Sequence, residues 1–467
     1  MQSKFSKAQS FDDTEPPVVH LEQAAARAPE FSDESLALKF SARHLDNLRH
    51  VAVWNKWLVW DGTIWRFDDT MHVFNLSRAI CRETAVQCNK AGTARAVASA
   101  KTVAAAVSLS RADRRLASTV DQWDVDPWLL NTPDGVVNLK SGKLRDHRRE
   151  DYLTKITAVG PNDGCPQWLE FMRRVTDGDG DLEAFIQRMV GYTFTGVTRE
   201  HALFFLYGTG ANGKSVFTGT ISEILGDYHR AAAMETFVTS QYAGHPTDLA
   251  GLRGARLVTA VETEEGRRWA ESKIKALTGG DKIAARFMRR DFFEFVPEFK
   301  LVIAGNHKPG LRNVDVAMKR RLHLVPFTVT IPEDERDKNL QEKLKSEWPG
   351  ILQWAIEGCL AWQERGLQPP ESVRDATAEY LDAEDALALW IEECCVEGRT
   401  YTATTSDLFV SWKTWCDRTG EFAGSMKRFS QNLQDREYVR WQDPRSRRRG
   451  FRGLQAIKET SSDWTSP

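Results

Sequence analysis

Between residues 203 and 327 short apolar runs alternate with longer stretches of mixed polarity. The runs LFFLY, ARLVTAVE, FKLVIAGN and RLHLVPF read as strands separated by helices, the pattern of an α/β core with a parallel sheet. Upstream the pattern changes. WLVW-DG-TIWRF sets Asp61-Gly62 between two apolar strands and predicts a hairpin, and GVVNL-KSG-KLRDH predicts another near Gly135 to His147. The Ala-rich residues 93–109 predict one helix, and residues 165–196 predict two short helices ending where LFFLY begins. Downstream, residues 348–362 carry apolar positions at roughly helical spacing, and Pro369-Pro370 marks a linker. Residues 386–457 read as helices followed by strand, basic turn and strand, the outline of a winged helix. Residues 1–32 are polar, contain Pro16-Pro17 and read as a flexible tail.

The run LFFLY leads into GTGANGKS, Gly208 to Ser215, and then into an amphipathic helix. This is the phosphate-binding P-loop pattern in its strand–loop–helix setting. Gly208 and Gly213 let backbone N–H groups turn inward around phosphates, with Thr209, Gly210, Ala211, Asn212 and Val216 completing the cradle. Lys214 sets a cation against the β- and γ-phosphates, the Ser215 hydroxyl suits Mg²⁺, and the helix N-terminus favours an anion. A P-loop needs a carboxylate from another strand. ARLVTAVETEEG ends a strand on Glu262, Glu264 and Glu265, and alternation puts Glu262 and Glu264 on one side. Glu262 and Glu264 are therefore the expected metal and water acids, and the pattern leaves open which does which. Asn306 ends the next strand and suits the γ-phosphate or the attacking water. Arg320 and Arg321 precede the last strand, where one of them suits an arginine finger acting on a neighbouring subunit.

Charge adds a second theme. The chain has 467 residues, two to four domains' worth, and a formal net charge of only −2. Any affinity for nucleic acid must come from local patches. Two exist. Between the acidic strand and Asn306, two apolar runs flank Arg289-Arg290-Asp291, a hairpin with a basic tip, in a segment that also carries Lys275, Lys282 and Arg286. Projecting into a ring channel, such a tip would grip a phosphate backbone. The C-terminal turn carries Arg440, Arg445, Arg447, Arg448, Arg449 and Arg452, flanked by Trp441 and Phe451, and nucleic acid is its expected partner. Seven scattered cysteines without a C-x-x-C pair indicate neither a zinc site nor a disulfide framework, which fits a reducing cytoplasm. There is no signal-peptide core and no apolar run of membrane-spanning length, so no membrane partner is expected. Asp124-Val-Asp126 reads as turn chemistry. Asp177-Gly-Asp179-Gly-Asp181 fails the EF-hand pattern at Leu182 and Arg188.

The order GTGANGKS, ETEEG, IKALTGGD, AGNHKP, KRRLHLVPF resembles the helicase half of the phage and plasmid primase-helicases, a superfamily 3 branch of the AAA+ proteins. DPWLLNTPDGVVNLKSGKLRDH and CPQWLEFMRRV resemble that family's N-terminal extension. The resemblance covers roughly residues 50–455. It implies an AAA+ core at 200–345, after a mixed α+β domain at 33–160 and a helical collar at 161–199. A helical lid and linker at 346–385 and a winged helix at 386–467 would follow. It further implies a hexameric ring, in the host cytoplasm if phage-encoded, that hydrolyses ATP with Mg²⁺. The ring would translocate 3′→5′ on single-stranded DNA, with forked DNA as substrate and a separate primase or replication initiator as partner. Lys214 and Ser215 match the P-loop, Glu262 and Glu264 the acids, Asn306 the polar sensor, Arg320 or Arg321 the finger, and Arg289-Arg290 the channel hairpin. Many relatives carry a primase-polymerase domain, but here only about 160 residues precede the helicase part, with no convincing polymerase carboxylates. An initiator or regulator that uses ATP only to assemble is the alternative. A small-molecule P-loop kinase would need neither basic patch.

Overall fold

The computed structural model describes residues 28–239, 246–262, 267–288, 291–311, 315–436, 438–443 and 447–457. Glu264, Glu265, Arg289, Arg290 and Arg445, singled out above, lie outside the described residues, as does most of the 1–32 tail. The chain divides into two compact units. One holds the residues up to Asp61 and Arg66–Gln122; the other holds Gly62–Trp65 and everything from Trp123.

The first unit packs helices Asp33–His44, His72–Val86 and Ala100–Ser110 around Phe40, Ile80 and Val103. The Ala-rich stretch forms two helices rather than one, Ala91–Val97 and Ala100–Ser110. The break has a local cause: Ser99 is extended, and its side chain accepts a hydrogen bond from Thr102 N, capping the second helix.

In the second unit, five parallel strands run in the order Leu322–Pro326, Leu203–Tyr207, Lys300–Gly305, Leu257–Val261, His229–Ala231. Leu203, Phe204, Phe205 and Leu206 are fully buried, as expected for a central strand covered on both faces. Each such side chain contributes about 1.5–3 kcal/mol of burial. The register pairs Tyr207 with Gly305 and Val261 with Ala304. The loops bearing Gly208, Glu262 and Asn306 therefore leave the sheet at one edge, the carboxyl ends where open α/β sheets bind ligands. Helices Pro166–Val175 and Gly180–Thr193 match the sequence expectation. Asp179 accepts from Asp181 N and Leu182 N at 3.0 Å each, so its carboxylate is a helix cap. Asp124, likewise, holds Thr154 N at 2.8 Å and Lys155 Nζ at 2.7 Å.

The C-terminal residues form helices Ala386–Cys394, Thr405–Thr419 and Met426–Asp435 against a three-stranded antiparallel sheet. Strands Val439–Gln442 and Arg449–Ala456 pair as expected. The third, Cys395–Thr404, escaped the sequence reading: its polar residues leave it largely exposed, with a register shift between Gly398 and Thr402. Among the described residues no helix is long and apolar enough to cross a membrane.

Candidate nucleotide site

Helix Lys214–Leu225 begins directly after Gly213, and no side chain caps it. The N–H groups of its first turn are therefore left for an anion. Gly213 has φ +82°, and a Cβ there would come within 2.7 Å of Val175 and 2.9 Å of Phe171. A Cβ on Gly208 would lie 1.9 Å from Phe327 O. Both positions thus require glycine. Ala211 takes φ +50°. The loop is pinned by the segment that follows strand Leu322–Pro326: Asn212 Nδ2 donates to Phe327 O at 2.7 Å, and Ile331 N donates to Ala211 O at 2.9 Å.

Lys214 is buried, and its ammonium donates to Gly208 O at 2.8 Å and to Asn306 Oδ1 at 3.0 Å. Burial lowers its pKa from the usual lysine value. Glu262 is also buried, with its N–H on Ala304 O at 2.8 Å. Lys214, Ser215, Glu262 and Asn306 line one cleft of about 670 Å³. Four residues predicted from three separate motifs are thus brought together.

Sequence reading missed part of this cleft. Thr218, Glu223, His229 and Thr259 also line it. His229 Nε2 lies 2.8 Å from Thr259 Oγ1. Burial, aided by Arg230, pushes the His229 pKa down to about 4. The pair is therefore uncharged at neutral pH. Its only sequence signal is a threonine inside an apolar strand, beside a three-residue strand too short and polar to predict.

The adjacent arginines differ. Arg321 is buried, donating from Nε to Thr278 Oγ1 at 3.1 Å and from Nη1 to Ala317 O at 2.8 Å. Arg320 is exposed. Neither lines the cleft of its own chain. The predicted basic hairpin forms from Ile283–Ala285 and Phe293–Phe295, with Lys282 and Arg286 exposed. Its outer part is less polar than the sequence suggested: Phe287, Met288 and Phe292 are 47%, 70% and 60% exposed. Arg286 lies over the Phe292 ring at 4.7 Å, and Phe287 stacks on Phe293 at 5.7 Å. Arg447 and Arg448, before the last strand, and Arg449, its first residue, are exposed, and none of them lines the cleft.

Comparison with known proteins gives five results. Residues 37–177 match the family model described as D5 N terminal like. Residues 206–321 match a family of unknown function, DUF5906. The provisionally named helicase L207/L206 of Acanthamoeba polyphaga mimivirus is 23% identical over 318 residues, covering 62% of this chain and 33% of that protein. The provisionally named helicase 022R of Frog virus 3 is 26% identical over 326 residues, covering 65% of this chain and 32% of the relative. This chain thus spans about a third of the length of these relatives. The apo structure of the NrS-1 C-terminal region aligns with a TM-score of 0.50 at 9% identity, covering 89% of this chain and 98% of the other, which shows a shared fold.

Proposed function

Because the chain belongs to the phage and viral primase-helicase family, we propose that it is an ATP-hydrolysing replicative DNA helicase of a phage or mobile element. In this reading the five-stranded sheet is a superfamily 3 AAA+ core, and the C-terminal helices and sheet are a winged helix. Subunits assemble as a hexameric ring that moves 3′→5′ on single-stranded DNA. The observation that carries the reading is the contact of Lys214 Nζ with Asn306 Oδ1 at 3.0 Å, in a cleft that Glu262 shares. It joins the phosphate loop to a polar group just past the neighbouring strand Lys300–Gly305, at the carboxyl edge where a nucleotide would lie.

ATP is the substrate. Lys214 exchanges its carbonyl and carboxamide partners for phosphate oxygens, and being desolvated it interacts strongly with them. A carboxylate, Glu262 or Glu264, orients water and takes its proton. The water oxygen bonds to the γ-phosphorus as the bond to the β–γ bridging oxygen breaks. Asn306 holds the γ-phosphate or that water. Ser215 and Glu262 suit a Mg²⁺ ion, which would supply charge against the phosphates. Arg320, exposed where Arg321 is buried, is the finger reaching a neighbour's cleft.

The hairpin is the grip on DNA. Lys282, Arg286 and the tip pair Arg289-Arg290 hold backbone phosphate, while exposed Phe287 and Phe292 offer stacking surfaces to bases. Arg289→Ala/Arg290→Ala should lose the DNA-stimulated part of ATP turnover and the unwinding of a forked duplex. Unwinding at the parent rate would remove the hairpin from the DNA path.

Arg447, Arg448 and Arg449 bind duplex phosphates. Replacing all three by alanine should weaken duplex binding and flatten its salt dependence, by a slope of about 0.9 for each phosphate no longer neutralised. An unchanged slope in a fluorescence titration across salt concentrations would assign the patch to another partner.

A further inference from the structure

Asn306 and Glu262 each sit at the start of a loop, and both loops converge on one buried side chain that the nucleotide chemistry does not use. Tyr380, on helix Glu371–Ala383, is 6% exposed. Its hydroxyl donates to Pro309 O, in the loop that follows Asn306. It accepts from Trp269 Nε1 at 3.2 Å, in the segment that follows Glu262. The two loops are also joined directly: Trp269 N donates to Gly310 O at 2.9 Å, and Gly310 N donates to Arg267 O at 2.8 Å. The Trp269 ring stands edge-on to Phe205 of the P-loop strand, 5.8 Å between centroids. Lys308 lies 4.2 Å over the Tyr207 ring, at the end of that same strand.

The helix bearing Tyr380 runs straight into the C-terminal part of the chain. Glu384, its C-cap, accepts from Leu311 N at 2.7 Å. Asp385 then caps helix Ala386–Cys394. A second tie runs from Arg268 to Glu421 at 3.4 Å, between helices Thr405–Thr419 and Met426–Asp435.

We propose that Tyr380 is a positioning residue for hydrolysis, and that through it helix Glu371–Ala383 links the nucleotide cleft to the C-terminal DNA-binding part. The inference rests on the motor reading above. The hydroxyl ties together the loops that carry the acid and the carboxamide, so it fixes how far Asn306 stands from Lys214. A phenylalanine would keep the packing and lose that tie. Coupling between two sites is reciprocal. If nucleotide moves the Asn306 loop, the shift reaches Glu384 and the duplex-binding elements, and duplex binding in turn biases Asn306.

The test compares the full chain with Tyr380→Phe, Glu384→Ala and Glu384→Gln. It measures kcat and KM for ATP, the Kd of a fluorescent non-hydrolysable ATP analogue, and duplex affinity with and without that analogue. In Tyr380→Phe, kcat should fall on the order of 10- to 100-fold, the cost of a small misplacement, while the analogue Kd stays within about twofold. The effect of nucleotide on duplex affinity, present in the parent, should vanish in Tyr380→Phe and Glu384→Ala. Glu384→Gln keeps an acceptor oxygen for Leu311 N and should retain the effect. Parent-like kcat and linkage in Tyr380→Phe would overturn the proposal. So would a parallel fall in kcat and analogue affinity, which marks a merely structural role. A parent protein without ATP turnover would overturn the motor reading itself, and the Tyr380 assignment with it.

Discussion

Replacing Lys214 by alanine should abolish ATP turnover while the chain stays folded. The ammonium is the one cation among the described residues lining the cleft, and it is desolvated there. Removing one preorganised charge-stabilising group costs on the order of 10²–10³ in rate, and phosphoryl transfer depends almost wholly on such groups. The fold tolerates the loss. Lys214 satisfies only Gly208 O and Asn306 Oδ1, both beside a cleft that water can enter, so the cost in stability is about 1 kcal/mol. Phosphate release and a thermal melt on the same preparation check both halves. Turnover at the parent rate would remove the nucleotide site from this cleft.

Arg320→Ala should give a loss at least as large, of a different kind. A finger acting across a subunit boundary contributes 10³–10⁵ in rate. In a ring with heterologous interfaces, one subunit's cleft faces its neighbour's finger. Neither Arg320→Ala nor Lys214→Ala subunits should turn over alone. Mixed, they should regain activity, because an intact Lys214 and an intact Arg320 would then meet at some interfaces. Arg321→Ala behaves differently. Its guanidinium is held inside its own subunit by Thr278 and Ala317, so its removal lowers the melting temperature, at roughly 1–3 kcal/mol for the buried partners left unpaired. No complementation in verified mixed rings would end the trans-finger assignment. Complementation by Arg321→Ala instead would exchange the roles of the two arginines.

What could be read from the sequence follows from the range of each interaction. The P-loop is a local device whose glycines, lysine and helix start lie within a few residues, so Gly208 to Val216 were legible as a block. Glu262 and Asn306 were legible because each ends an apolar run, and a parallel sheet gathers strand ends on one edge. Arg320 and Arg321 could not be told apart. Adjacent residues carry the same local signal, and which one turns inward is decided by Thr278, more than forty residues earlier. His229–Ala231 and Cys395–Thr404 were invisible as strands because neither has a buried apolar stripe; their partners supply the pairing. Tyr380 and Trp269 gave no signal at all, being an ordinary helix aromatic and an ordinary loop aromatic until the fold places one against the other. Ser99 could have split the Ala-rich stretch, since a serine before a fresh helical run is a cap signal.

The most direct measurement of the central claim is strand displacement on a forked DNA duplex, followed by a fluorophore released from its quencher. The account predicts that the parent chain displaces the strand with ATP and Mg²⁺. It predicts no displacement with a non-hydrolysable analogue, and none with Lys214→Ala under either condition. A parent chain that binds the fork and hydrolyses ATP yet displaces no strand would contradict it.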